Sequence, residues 1–218
     1  MENFSSMEFI NFIFRWGHLM FGITWIGLLY YFNFIQGGYF KQATPEALSD
    51  AKAKLAPSAL WWFRWGAMFT FITGVYLLMG VQGKGVMNEY IVAGATFGTL
   101  MFLNVWLIIW PNQKIALGMV EGDGPTAAGK ALLASRTNTL FSAPMAYCML
   151  ASPHMGYDTG NLLSANGGGT ALYAVLALIA ALEVNAIVGK QGPMTTVKGV
   201  IHSSIGLTVA MVLIFQYV

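Results

Sequence analysis

Charge is scarce in this chain. Of its 218 residues, 11 are Lys or Arg and 9 are Asp or Glu. Soluble domains carry about a quarter charged residues, so a share of 9% excludes an ordinary aqueous globule and a disordered chain alike. Cysteine is scarcer still. Cys148 stands alone, which excludes an internal disulfide and a CxxCH attachment of c-type haem. It lies in an apolar run and reads as a plain buried thiol. The net charge is only +2 and the cations are scattered, so no basic face forms and nucleic-acid binding is excluded. A basic leader is missing too: Glu2 and Glu8 stand where a secretory signal would carry Lys or Arg. The first hydrophobic segment is therefore expected to stay in the membrane as an anchor.

Apolar length is what the sequence has in abundance. Hydrophobic residues make up 56% and the mean hydropathy is +0.61. At about 20 apolar residues per bilayer crossing, about six crossings use most of the chain. Six stretches answer to this: Phe9 to Gln36, Ser58 to Gly80, Asn88 to Trp110, Leu132 to Ser152, Gly169 to Val188, and Val197 to Val218. Each is bounded by turn residues such as Gly37-Gly38, Pro57, Pro111, Pro153 or Gly167-Gly168-Gly169. Backbone groups in lipid must bond within their own segment, so the stretches are helices. The expected fold is all-α, a polytopic membrane helix bundle, with residues 1–218 forming one integral membrane domain. Residues 37–57 are expected to form a cytoplasmic loop. Within it, Ala43 to Leu55 reads as a short amphipathic helix with Pro45 in its first turn.

Loop charge sets the orientation. Lys41, Lys52, Lys54, Lys114, Lys130, Lys190 and Lys198 follow helices one, three and five, with Arg136 at the start of helix four. The opposite side carries only Lys84. The positive-inside rule then places both termini outside, in the periplasm if this is the cytoplasmic (inner) membrane of a Gram-negative bacterium. One internal echo exists, Phe14-Arg15-Trp16-Gly17 against Phe63-Arg64-Trp65-Gly66, and chance explains it in a chain this rich in Phe, Trp and Gly.

Ionisable side chains within spans must find a partner or a wet cavity. They sort into two layers. The outer one holds Arg15, His18, Glu89, His154 and Asp158; Arg15 and His18 are three apart on one face, with Gly22 and Trp25 continuing the stripe. The inner one holds Arg64, Asn104, Arg136, Asn138, Glu183, Asn185 and His202. Arg64 with Glu183 is the expected ion pair, either a structural clamp or part of a cofactor-propionate, quinone or proton site. A b-type haem would want two axial ligands at similar depth. His18 lies about 14 Å below the outer surface and His202 about 8 Å above the inner one, so His18 pairs better with His154 than with His202.

A family resemblance runs through the same residues. Arg15-Trp16-Gly17-His18-Leu19-Met20-Phe21-Gly22-Ile23-Thr24-Trp25-Ile26-Gly27 resembles helix one of the membrane domain of the cytochrome-c-linked urate oxidases, or urate hydroxylases. Trp62-Phe63-Arg64-Trp65 with Thr70 and Gly74 resembles that family's second helix. Gly98-Thr99-Leu100-Met101, then Asn104-Val105, then Pro111-Asn112-Gln113-Lys114 is similar to its most specific signature. Ser135-Arg136, Asn138, Pro144 and Ser152-Pro153-His154 resemble the helix after it. More distantly, a helix-one His followed by Trp-x-Gly is similar to the membrane protoporphyrinogen oxidases and copper-resistance membrane proteins. The resemblance implies a haem-linked membrane domain in which His18 is a candidate haem-iron ligand, with Arg15 and His154 as further cofactor contacts and a cytochrome c as electron partner.

The departures are as specific. Only Val81 to Met87 connects the second helix to the Gly-Thr-x-Met helix, where the family carries two more helices. Residues 1–218 include no counterpart of its cytochrome c domain. Val92, Thr137 and the Glu183-Val184-Asn185 region stand where the family tends to carry His. These departures favour a helix-bundle subunit of a larger respiratory or oxygenase-type membrane complex. The alternative is a small redox enzyme of the same family, using b-type haem and an external cytochrome c. A transporter is disfavoured, because no inverted repeat and no paired broken helices are visible.

Overall fold

The computed structural model describes residues 6–155 and 169–218, and among them every regular element is helical. Six rods follow one another: α1 (Ser6–Gln42), α2 (Pro45–Gly83), α3 (Glu89–Ala116), α4 (Gly124–Met155), α5 (Gly169–Val188) and α6 (Val197–Tyr217). All but α4 are long and apolar enough to cross a bilayer, so the chain is a multi-pass helical bundle of the expected kind.

The exception has a structural reason. α4 is 32 residues long but carries Ser135-Arg136-Thr137-Asn138-Thr139 in its middle. Every residue from Ala134 to Ser142 is buried, because α1, α3, α5 and α6 all pack around this rod. Its polar groups meet protein and not lipid, so α4 has no need of an apolar surface.

The contacts also fix direction. Phe14 stacks on Tyr76 and Phe21 tilts against Phe69, so α1 and α2 are antiparallel. Phe71–Phe102 with Trp65–Trp106 makes α2 and α3 antiparallel, and Phe97–Phe141 with Gly94–Cys148 does the same for α3 and α4. α6 runs parallel to α4: Ser204 bonds the carbonyl of Leu140, and Met211 meets Cys148. Ser6 and Tyr217 therefore share one end of the bundle, and the lysine-rich turns gather at the other. Under the positive-inside rule the shared end is the outer one.

Two boundaries differ from the sequence reading. Gly37-Gly38 does not end α1, since Gly37 stays in the right-handed helical region and the helix continues to Gln42. Glycine weakens a helix by only about 0.5–1 kcal/mol, which flanking turns absorb. The stop comes at Ala43-Thr44, where Thr44 precedes Pro45 and caps the next helix from Ala47 N at 3.4 Å. Pro45 to Leu55 then runs unbroken into α2, so the expected 37–57 loop with its separate amphipathic helix narrows to two residues. Pro111 likewise fails to halt α3. A π-helical stretch over Asn104–Ile109 precedes it, and helix resumes at Trp110–Ala116 before the left-handed Gly118 (φ 73°) ends the run.

Candidate functional site

A polar network centres on the buried middle of α4. The Asn104 side-chain nitrogen donates to Asn138 Oδ1 at 3.0 Å and to Glu183 Oε2 at 3.1 Å. The Asn138 nitrogen donates onward to the Met101 carbonyl at 2.9 Å. On the other flank, Asn33 donates to Ser135 Oγ at 2.8 Å and to its own helix at Leu29 O. Ser142 spends its hydroxyl proton on the Thr139 carbonyl at 2.7 Å, so the Tyr30 hydroxyl, 2.8 Å from Ser142 Oγ, must donate to it. Ser204 donates to Leu140 O at 2.8 Å. α4 is thus bonded to α1, α3 and α6 directly, and through Asn104 to Glu183 of α5.

Backbone geometry favours this layer as a site. Asn33 lies in a π-helical stretch over Tyr31–Gln36, and Asn104 opens the one over Asn104–Ile109. Such widened turns re-aim side chains and concentrate at functional positions. Both flank the same segment of α4.

The expected Arg64–Glu183 ion pair does not form. Arg64 Cζ lies 3.3 Å from the centroid of the Trp110 ring, and Lys114 Nζ lies 5.5 Å from the same ring. Glu183 takes its hydrogen bond from Asn104. Arg64 occupies the face of α2 turned to α3, where an indole offers cation–π contact, and Glu183 meets α3 one and a half turns away. The five-residue cluster of Arg64, Asn104, Arg136, Glu183 and His202 is correspondingly split. Asn104 and Glu183 are joined. Arg136 is buried at 8% exposure, with Nε and Nη1 donating to nothing among the described residues. His202 is exposed on α6, because the buried positions there are Val200, Ser204, Leu207 and Met211, and residue 202 falls on the opposite face.

In the outer layer His18 is half-buried against the middle of α2. Its Nδ1 lies 2.9 Å from the Thr70 carbonyl and 3.1 Å from Thr73 Oγ1. A carbonyl only accepts, so Nδ1 carries the proton, and Nε2 of the neutral ring keeps its lone pair. The ring rests on Gly74, where a Cβ would come within 3.0 Å of His18 Cε1. Gly22 also faces α2, since a Cβ there would meet Thr70 Cγ2 at 3.9 Å. A close helix occupies that place.

Arg15 is exposed one turn from His18, outside the one ion pair among the described residues, and His154 is exposed near the end of α4. Glu89 is buried in the first turn of α3, beside the cap residue Asn88 that donates to Ser152 O at 3.0 Å. Asp158 lies outside the described residues. His18 and His154 share no hydrogen bond, and α6, which bears His202, packs on α4 and α5. Among the described residues no three His, Cys, Asp or Glu side chains gather where a metal ion could sit. The His18 tautomer leaves Nε2 as the ring's free acceptor or ligating atom.

Sequence reasoning missed Asn33, Tyr30, Thr70, Thr73 and Trp110 as partners. An aromatic or Asn side chain in a span carries no mark of its phase until its neighbours are known. A cavity of about 310 Å³ also opens between α2 and α3, lined by Leu78, Met87, Val92, Ala95, Thr96, Thr99 and Leu100. Both threonine hydroxyls there donate to their own helix, at Val92 O and Ala95 O, so its wall offers no free donor. Compared with known proteins, the chain matches no family model, no curated protein and no solved structure.

Proposed function

We propose that the protein is a membrane-embedded subunit of a larger respiratory or oxygenase-type assembly, built on a bundle like the urate oxidase membrane domain it resembles in sequence. One observation carries this reading. Arg15 and His202 lie within membrane-spanning rods yet face outward, without a partner in the described residues. Ionisable side chains in spans face a bundle interior or a wet cavity, so an outward-facing pair calls for a second chain to complete that interior. Purification from native membranes in a mild detergent tests it. The protein should migrate in a complex larger than its own 23.7 kDa, and Arg15→Ala or His202→Ala should release it. A wild-type protein that purifies alone from native membranes sinks the reading.

A second reading is a small redox enzyme carrying b-type haem and passing electrons to a separate cytochrome c. The His18 tautomer favours it. A ligating imidazole characteristically donates its other N–H to a carbonyl, as His18 does to Thr70. When bound, haem would supply one-electron chemistry; His18 would hold it, and Arg15, one turn away, would face its propionates. A reduced-minus-oxidised spectrum separates the readings. A b-haem band lost in His18→Ala but kept in His202→Ala supports the enzyme, and no band supports the subunit.

A further inference from the structure

At the lysine-rich end of the α2–α3 seam, two cations share one indole. Arg64 Cζ sits 3.3 Å and Lys114 Nζ 5.5 Å from the centre of Trp110. One helical turn before Trp110, Trp106 meets Trp65, the residue that follows Arg64, edge to face at 6.0 Å. Arg64 Nη1 and Trp106 Nε1 are both buried and donate to nothing among the described residues. Among the described residues neither Arg64 nor Lys114 has a carboxylate partner, the one ion pair there being Lys54 with Asp50. The seam therefore gathers two positive charges and two idle donors, with no carboxylate among the described residues to meet them. Unmade hydrogen bonds of buried donors are unfavourable, and two like charges add repulsion. The surroundings are apolar and open outward: Trp61 is 46% and Leu107 68% exposed.

We infer that this end of the seam binds the phosphate of an anionic phospholipid from the leaflet on the lysine-rich side. A phosphodiester supplies what the seam lacks, a negative charge and several acceptor oxygens. Arg64 and Trp106 would donate to it, Lys114 would neutralise it, and the exposed Trp61 and Leu107 would flank the acyl chains. Basic pockets between helices on the cytoplasmic side bind anionic headgroups by this chemistry, and indoles favour the same depth. The source of the phosphate is distinguished by experiment. This inference does not rest on the subunit reading.

Thermal unfolding of the detergent-purified protein can be followed with a thiol-reactive dye, because Cys148 is the one cysteine and is buried until the bundle opens. Palmitoyl-oleoyl phosphatidylglycerol should raise Tm by about 2–4 °C, while the phosphatidylcholine analogue and inorganic phosphate should not. Lys114→Gln and Trp106→Phe should each reduce the phosphatidylglycerol shift, and Arg64→Gln should abolish it. Should Arg64→Gln fail to fold, the other two variants carry the test. Equal shifts from both lipids, or an undiminished shift in Lys114→Gln and Trp106→Phe, would overturn the site. A shift reproduced by inorganic phosphate alone would overturn the lipid as its source.

Discussion

Asn104 holds Glu183 and Asn138 with a single side-chain nitrogen, at 3.1 and 3.0 Å. The carboxylate of α5 is thereby tied to the buried middle of α4 through a residue of α3, and three rods share one amide. Asn104→Ala removes both bonds at once and leaves two acceptors without their donor. Each orphaned group is unfavourable by about 1–3 kcal/mol, so the loss should be larger than for an ordinary buried hydrogen bond. Glu183→Gln keeps an acceptor oxygen in place and should be milder. Denaturation midpoints of the two single variants and the double variant would measure the coupling. Additive losses would show that Asn104 and Glu183 do not act as a pair.

Gly74 and Gly80 lie on the same rod and make opposite predictions. A Cβ at Gly74 would come within 3.0 Å of His18 Cε1 and 3.4 Å of Nδ1, and the ring has little freedom while Nδ1 is bonded to Thr70. Gly74→Ala should push α1 from α2, break the His18 bond and lower Tm. At Gly80 nothing lies within 4 Å, so Gly80→Ala should be neutral or slightly stabilising, as alanine favours helix by about 0.8–1.0 kcal/mol over glycine. Equal effects at the two positions would contradict the close approach of the helices.

The fold was largely legible in the sequence because apolar length and loop charge are one-dimensional signals. Six rods and their alternation follow from them. Side-chain pairing depends on helical phase and tilt, which composition does not carry. Depth alone makes His202 an inner-layer partner, whereas the buried positions Val200 and Ser204 show that it faces the other way. Charge and depth match Arg64 to Glu183, whereas Trp110 and Asn104 have the better geometry. His18 was legible as a singular residue, but not the Thr70 carbonyl that fixes its tautomer. The Phe-Arg-Trp-Gly echo also dissolves in three dimensions: Arg15 is exposed, while Arg64 lies on an indole.

The start of α4 makes a pH-dependent prediction. Asp123 lies in the turn before the helix and accepts from Thr126 N at 3.2 Å. Hydrogen bonds from the Thr126 hydroxyl and backbone hold its carboxyl below the ordinary carboxylate value. A carboxyl depressed in the folded state stabilises it fully above the unfolded value, and that contribution fades as pH falls through the folded value. The Tm difference between wild type and Asp123→Ala should therefore be present at neutral pH and shrink on acidification below about pH 4. A difference that grew on acidification would contradict the assignment.

The orientation of the bundle is open to the most direct check. Ser6 and Tyr217 share one end, and Lys41, Lys52, Lys54, Lys114, Lys130, Lys190 and Lys198 crowd the other. Cations beside the ends of spans are retained on the cytoplasmic side, so the end with the termini should face outward. Two turns report on opposite sides: Lys84 follows α2 and is exposed, and Gln191 lies between α5 and α6. In a Cys148→Ser background, a single cysteine at position 84 should react with a membrane-impermeant maleimide in intact cells. A cysteine at 191 should react only after the membrane is opened. The buried Cys148 makes the background change necessary, since a thiol exposed by partial unfolding would otherwise give a false outside signal. Labelling at 191 but not at 84 in intact cells would invert the topology. The phosphate site at Arg64 and Lys114 would then move to the outer leaflet.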